Sequence, residues 1–170
     1  MSFTTAARSL TAAALVAGAA AAMMPATASA AEARDSSASA VQMLAVHPMV
    51  SHARAYIGQS GGQCKEFVQR IHNEVYVRDL GPNYWGAYVD AGYHRISKAE
   101  VRAGDIIQET DAATHTRGIH TAIVSGNPDG PTIRVVDSNW VGYERVGEHT
   151  YDPTAHAQSK GGVAYYWRKG

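Results

Sequence analysis

The feature that most constrains this chain is a change of period. From Pro48 to Val89 apolar residues recur at helical spacing, whereas from Gly104 onward they gather in short β-branched or aromatic runs split by turn residues. The spacing predicts a helix from about Pro48, with Pro suited to its first turn and Met49, Val50, Ala53 and Ile57 on one stripe, ending at Gly58. After the loop Gln59-Ser60-Gly61-Gly62, a second helix places Cys64, Phe67, Val68, Ile71 and Val75 on a core-facing stripe. Tyr84 to Val89 reads as a short helix, with Gly81-Pro82 before it and Ala91-Gly92 after it. Gly104–Gln108, Ile119–Val124, Thr132–Val136 and Val163–Arg168 read as strands, and Asn127-Pro128-Asp129-Gly130 as a hairpin turn between the second and third. Helices followed by antiparallel strands predict an α+β domain, its N-terminal helices packed on a mainly antiparallel β-sheet.

The residues ahead of this domain have another character. Arg8 is the only charged side chain of the first thirty, an apolar stretch runs from Leu10 to Met24, and Pro25 precedes Ala28-Ser29-Ala30. Small residues at the first and third places before a cut suit a signal peptidase, so residues 1–30 are expected to be a signal peptide cleaved after Ala30. An uncleaved anchor needs about 18 to 20 apolar residues, more than this alanine-rich stretch supplies. Residues 31–45, with their Ala, Ser and charge, are expected to be a flexible segment leading into a catalytic domain over 46–170. The remaining ~140 residues suit one domain with a real core. The chain carries 15 basic and 15 acidic side chains, and loss of Arg8 with the leader leaves a formal charge near minus one. That balance argues against nucleic acid or an anionic membrane as partner. Oligomeric state is encoded in no pattern here.

Cys64 is the only cysteine, and the leader sends it to an oxidising compartment with no thiol to bridge to. It is either a small core residue on its stripe or a nucleophile. A thiol is useful to chemistry as thiolate, which a helix amino terminus and a nearby histidine both favour. Cys64 has the first by position, and His120 in the strand 119–124 is the candidate for the second, among eight histidines. A third group must hold the imidazole's tautomer. Asp137 and Asn139 at the end of the third strand are two apart, so alternation would put both on one face beside His120; equally, they are residues that close a strand.

Gly62-Gln63-Cys64 opening a helix with Phe67-Val68, then Ala103-Gly104-Asp105-Ile106-Ile107, then His120-Thr121-Ala122-Ile123-Val124, then Asp137-Ser138-Asn139-Trp140, together resemble the CHAP family. These are the cysteine, histidine-dependent amidohydrolases and peptidases of the papain-like superfamily, and the likeness runs over roughly residues 46–168. It implies a papain-like CHAP fold in which Cys64 attacks a carbonyl carbon, His120 pairs with it, and Asp137 and Asn139 complete the site, Asp standing where many members carry Glu. Some phage members bind calcium just before the cysteine; this chain has Tyr56-Ile57-Gly58-Gln59-Ser60-Gly61-Gly62 there, without a carboxylate, so no metal and no cofactor is expected. For the oxyanion and substrate, the Cys64 amide and the Gln63 side chain are candidates, with Trp140, Tyr84 and Trp85 either walling a groove or filling the core.

The function implied is a secreted, wall-associated bacterial peptidoglycan hydrolase, an amidase or endopeptidase with the wall peptide as substrate. Two alternatives stay open: a papain-like protease or transamidase acting on proteins, and a non-catalytic wall-binding protein that keeps the fold. A zinc hydrolase is disfavoured, since His115 and His120 make neither His-x-His nor His-Glu-x-x-His.

Overall fold

The structure, a computed structural model, describes residues 46–170; the expected signal peptide and the segment 31–45 lie outside the described residues. Helix α1 (Pro48–Ala55) begins with its proline in the first turn, and the His47 ring accepts the Met49 amide at 3.2 Å. It buries Met49, Val50 and Ala53 and stops short of Ile57, which is exposed, because the chain turns at Gly58 with φ +84°.

Helix α2 (Cys64–Val75) follows, fastened at its start by the Glu66 carboxylate, which accepts the Gln63 amide at 2.9 Å. Its buried face carries Lys65, Phe67, Val68, Ile71 and His72. The short helix α3 (Gly86–Asp90) starts two residues later than the pattern suggests, because the Asn83 side chain accepts the amides of Trp85 and Gly86 and delays the first helical turn.

Six strands form one sheet: β1 (Tyr93–Ile96), β2 (Ile106–Thr110), β3 (Gly118–Val124), β4 (Ile133–Ser138), β5 (Val146–Tyr151) and β6 (Val163–Lys169). Their order is β1-β6-β2-β3-β4-β5, and every neighbouring pair is antiparallel. The α+β architecture is thus as expected, with a single 3-10 turn (Lys98–Glu100) and three larger elements added to it. β1 and β5 are polar enough to be missed as strands: β5 reads Val-Gly-Glu-His-Thr-Tyr. Helix α4 (Pro153–Ser159), capped by the Asp152 carboxylate on the amides of Thr154 and Ala155, is the third.

Alternation along the strands sends side chains to two separate cores. On one face Ile106, Ile123, Val136 and Trp167 pack with Phe67, Val68 and Ile71 of α2 and with Met49 and Ala53 of α1. On the other, Ile107, Ala122, Val124, Ile133, Val135 and Tyr151 form a smaller cluster. His120 and Asp137 share the parity of this second face.

One irregularity makes the site. β3 and β4 pair at Ile123↔Val136 and Val124↔Val135, after which β4 continues with β5 as far as Ser138↔Val146. Beyond Ile123 the partners separate, and the start of α2 enters the gap. Ser138 Oγ donates to the Gly62 carbonyl at 2.6 Å, and the Gly61 amide donates to the Glu144 carbonyl at 2.7 Å. A Cβ at Gly61 would meet Ser138 Oγ at 2.6 Å, so only glycine lets the chain pass this close.

Candidate active site

Cys64 is the first residue of α2, partly buried, where the amides of the opening turn have no intrahelical acceptor. Its surroundings come from three directions. His120 from β3, the backbone amides of Thr121 and Lys65, and the Tyr84 hydroxyl from the loop before α3 all lie near enough to the thiol to act on its charge. Burial pushes the thiol up, but the bond and charge of His120, with the two amides, outweigh it and hold the thiol below its ordinary range.

His120 is 5 % exposed. Its Nε2 lies 2.7 Å from Asp137 Oδ2, which leaves Nδ1 as the nitrogen that meets the thiol. Burial opposes the imidazolium; the bonds and charges of Asp137 and Cys64 overcome it and raise the ring to about 10. The two shifts run in one sense: each favours the charged form of its group, thiolate and imidazolium, above an anchored carboxylate.

Asp137 is fully buried. The same Oδ2 also accepts from His149 Nε2 of β5 at 2.9 Å, so one carboxylate oxygen holds two imidazoles. Trp140 lies across them, stacked on His149 at 4.9 Å between centroids and 5.1 Å from the His120 ring, with 37 % of its surface exposed. A second buried carboxylate sits beyond: Glu109 of β2 accepts from the Tyr151 hydroxyl at 2.8 Å and pairs with His156 Nδ1 of α4 at 2.5 Å. The His156 ring closes against Trp140 at 4.6 Å.

The structure therefore brings Cys64, His120 and Asp137 together. Asn139 stands apart from the imidazole. It follows the end of β4 with φ +71°, and this left-handed turn breaks the alternation that would have set it on the face of Asp137. Its side chain donates to Gln63 Oε1 at 3.0 Å and accepts the Glu144 amide at 3.0 Å. Gln63, a candidate oxyanion donor, also has its Nε2 on Glu144 at 3.3 Å, so its amide group ties the α2 start to the β4–β5 loop.

The aromatic candidates divide. Tyr84 reaches the thiol and, with Pro82, Asn83 and Thr116, lines a surface groove beside it. A Cβ at Gly118 would stand inside the Tyr84 ring, so β3 must be bare there for the ring to lie over it. Trp85 instead packs edge-on against Trp167 and Tyr165 and stacks on His115 at 4.0 Å. Three residues escaped the sequence reading: His149, because β5 was not legible; Glu109, which faces His120 across the β2–β3 ladder; and Lys65, whose place three before Val68 and seven before His72 is the signal that it shares the buried stripe. Among the described residues no cluster of three or more His, Cys, Asp or Glu is placed to hold a metal.

No protein-family model matches the chain, and no curated protein matches it either. Among solved structures, the wild-type endolysin LysIME-EF1 is similar over 71 % of this chain and 62 % of its own, at 19 % identity and a TM-score of 0.54. The protein Ly7917, solved with the hydrolyzing product of MDP, is similar over 74 % of this chain and 64 % of its own, at 18 % identity and a TM-score of 0.53. The chain thus spans less than two thirds of either. At such identities the likeness carries the fold, the α+β arrangement of helices on an antiparallel sheet.

Proposed function

We propose that this chain is a secreted, cysteine-dependent peptidoglycan hydrolase of the CHAP type, cutting an amide bond in the peptide part of the bacterial wall as an amidase or endopeptidase. The observation that carries this reading is the Cys64 thiol at the amino end of α2, in contact with a His120 ring whose Nε2 sits 2.7 Å from buried Asp137. The wall as substrate draws on the CHAP resemblance of the sequence, on the leader, and on a fold shared with an endolysin and with a protein solved with the hydrolyzing product of MDP.

In the mechanism, the Cys64 thiolate adds to the scissile carbonyl carbon and its negative charge moves to the carbonyl oxygen. The Cys64 amide, unpaired in the first helical turn, is the donor for that oxyanion, and such a donor is worth about 3 kcal/mol. The His120 imidazolium gives its proton to the departing amine as the carbon–nitrogen bond breaks, then takes one from the water that hydrolyses the thioester. Asp137 is the orienter: it holds Nε2 and so turns Nδ1 to the sulfur. Asn139 supports the site at one remove, through Gln63.

The test is wall clearing by the purified protein beside its Cys64→Ala variant. The variant is expected to lose at least about a thousandfold in rate while keeping the fold; equal clearing by both overturns the thiol mechanism. Mass analysis of the released muropeptides then separates amidase from endopeptidase, by whether the cut frees the sugar or divides the peptide.

A further inference from the structure

Lys65 is an anomaly of this site. It is the second residue of α2, 6 % exposed, and its Nζ has no hydrogen-bond partner among the described residues. It lies 4.0 Å from the centre of the Tyr88 ring and 5.8 Å from that of Tyr84. An ammonium has three protons to place, and burying it without a carboxylate is costly unless something else answers the charge. The faces of two tyrosine rings answer part of it.

The groups around Nζ limit what can answer the rest. Tyr84 and Tyr88 approach from the segment that contains α3, and burial keeps both phenols neutral by raising them. From its own helix come Cys64 and His72, the latter already committed to the Tyr93 hydroxyl at 2.9 Å and the Arg78 carbonyl at 2.6 Å. On the β3 side stands Thr121, whose Oγ1 meets the Tyr88 hydroxyl at 3.2 Å. The buried carboxylates of the site face elsewhere, Asp137 on two imidazoles and Glu109 on Tyr151 and His156. The anion left within reach is the one that Cys64 forms. Tyr84 lies near both partners, its hydroxyl toward the sulfur and its ring centre 5.8 Å from Nζ.

We propose that Lys65, held between Tyr84 and Tyr88, is a positioning residue that serves as a second internal cation for the Cys64 thiolate, so that two buried bases set the charge of the nucleophile. It rests on Cys64 being the nucleophile. The coupling has a physical sign: burial lowers Lys65, the Cys64 charge pulls it back part of the way to about 7, and so each charge favours the other. Below that pH the ammonium is present and helps the thiolate form early; above it His120 carries the pair alone.

The experiment follows iodoacetamide alkylation of Cys64 against pH in the wild-type protein and in Lys65→Met, which keeps the side chain's length without its charge. The variant is expected to melt at the same or a higher temperature, while its alkylation midpoint moves up by about half to one pH unit and its rate at pH 6 falls about 3- to 10-fold. An unchanged midpoint in a folded variant overturns the role of Lys65 and leaves the nucleophile reading standing. A wild-type thiol that reacts only in the ordinary thiol range overturns both. Should Lys65→Met not fold, the reciprocal measurement decides: the NMR titration of Lys65 Nζ in the wild-type protein and in Cys64→Ser. Linkage requires the lysine midpoint to fall when the thiolate is removed, and an equal midpoint in both proteins sinks the proposal.

Discussion

The two faces of the sheet at this site treat charge in opposite ways. On the side of His120, each buried carboxylate is held by two donors: Asp137 by His120 and His149, Glu109 by Tyr151 and His156. On the side of α2, Lys65 lies among tyrosine rings with no carboxylate at all. The first arrangement fixes ring orientation; the second leaves one ammonium without a hydrogen-bond partner. Cys64 stands at the seam, where β3 and β4 part, with His120 on one side and the start of α2 on the other.

Removing the lock should have the largest effect. Asp137→Asn keeps the shape but withdraws the charge beneath two imidazoles, so kcat/KM for wall peptide is expected to fall by about 10²- to 10⁴-fold, with the alkaline limb of hydrolysis moving down in pH and the Cys64 alkylation midpoint moving up. Glu109→Gln is the control that separates a holding carboxylate from a tuning one. It should cost about 1–3 kcal/mol in urea denaturation and leave the alkylation midpoint within about 0.2 units. A midpoint that moves with Glu109 as it does with Asp137 would merge the two carboxylates into one network.

The pH profile tests the comparison without mutation. A raised His120 keeps its imidazolium, and the stability it brings, fully below its unfolded value near 6.5 and loses both as pH climbs through about 10. A lowered Cys64 keeps its thiolate stability above its unfolded value and loses it as pH falls through the folded one. Hydrolysis, which needs the imidazolium as acid, should therefore follow a plateau whose alkaline edge is near 10, and its acid edge, shared with alkylation, should lie below the ordinary thiol range. Gly118→Ala displaces Tyr84 from β3 and is expected to cost about 1–3 kcal/mol, with a rise in KM larger than the fall in kcat. Tyr88→Phe, which removes only the bond to Thr121, should cost about 1 kcal/mol and is the smallest of these effects.

Much of this was legible along the chain. The helix periods of 48–57 and 64–75 and the strands around Ile106, Ile123 and Val135 depend on residues near one another in sequence, and the structure places elements at each; the turn expected at 127–130 falls two residues later, closed by Asp129 and Thr132. The elements that were not legible, β1, β5 and α4, have mixed or polar sequences whose strand or helix state comes from what they pair with. His149 was missed for that reason, since only pairing with β4 turns its ring to Asp137. Asn139 failed in the opposite way. Strand alternation is a sound rule that ends where the strand ends, and a left-handed residue one place beyond Ser138 turned the side chain to Gln63.

Local order alone determined the layering of helices on an antiparallel sheet and put a lone thiol at a helix start and an imidazole in a strand, because period, caps and turns act over a few residues. Tertiary structure alone decided that β3 and β4 open to admit the start of α2, that one oxygen of Asp137 carries two histidines, and that Lys65 is buried between tyrosines. Those facts join residues far apart along the chain, such as Ser138 and Gly62, 76 positions from one another. No spacing rule reaches that far; only the balance of packing against the burial of polar groups does.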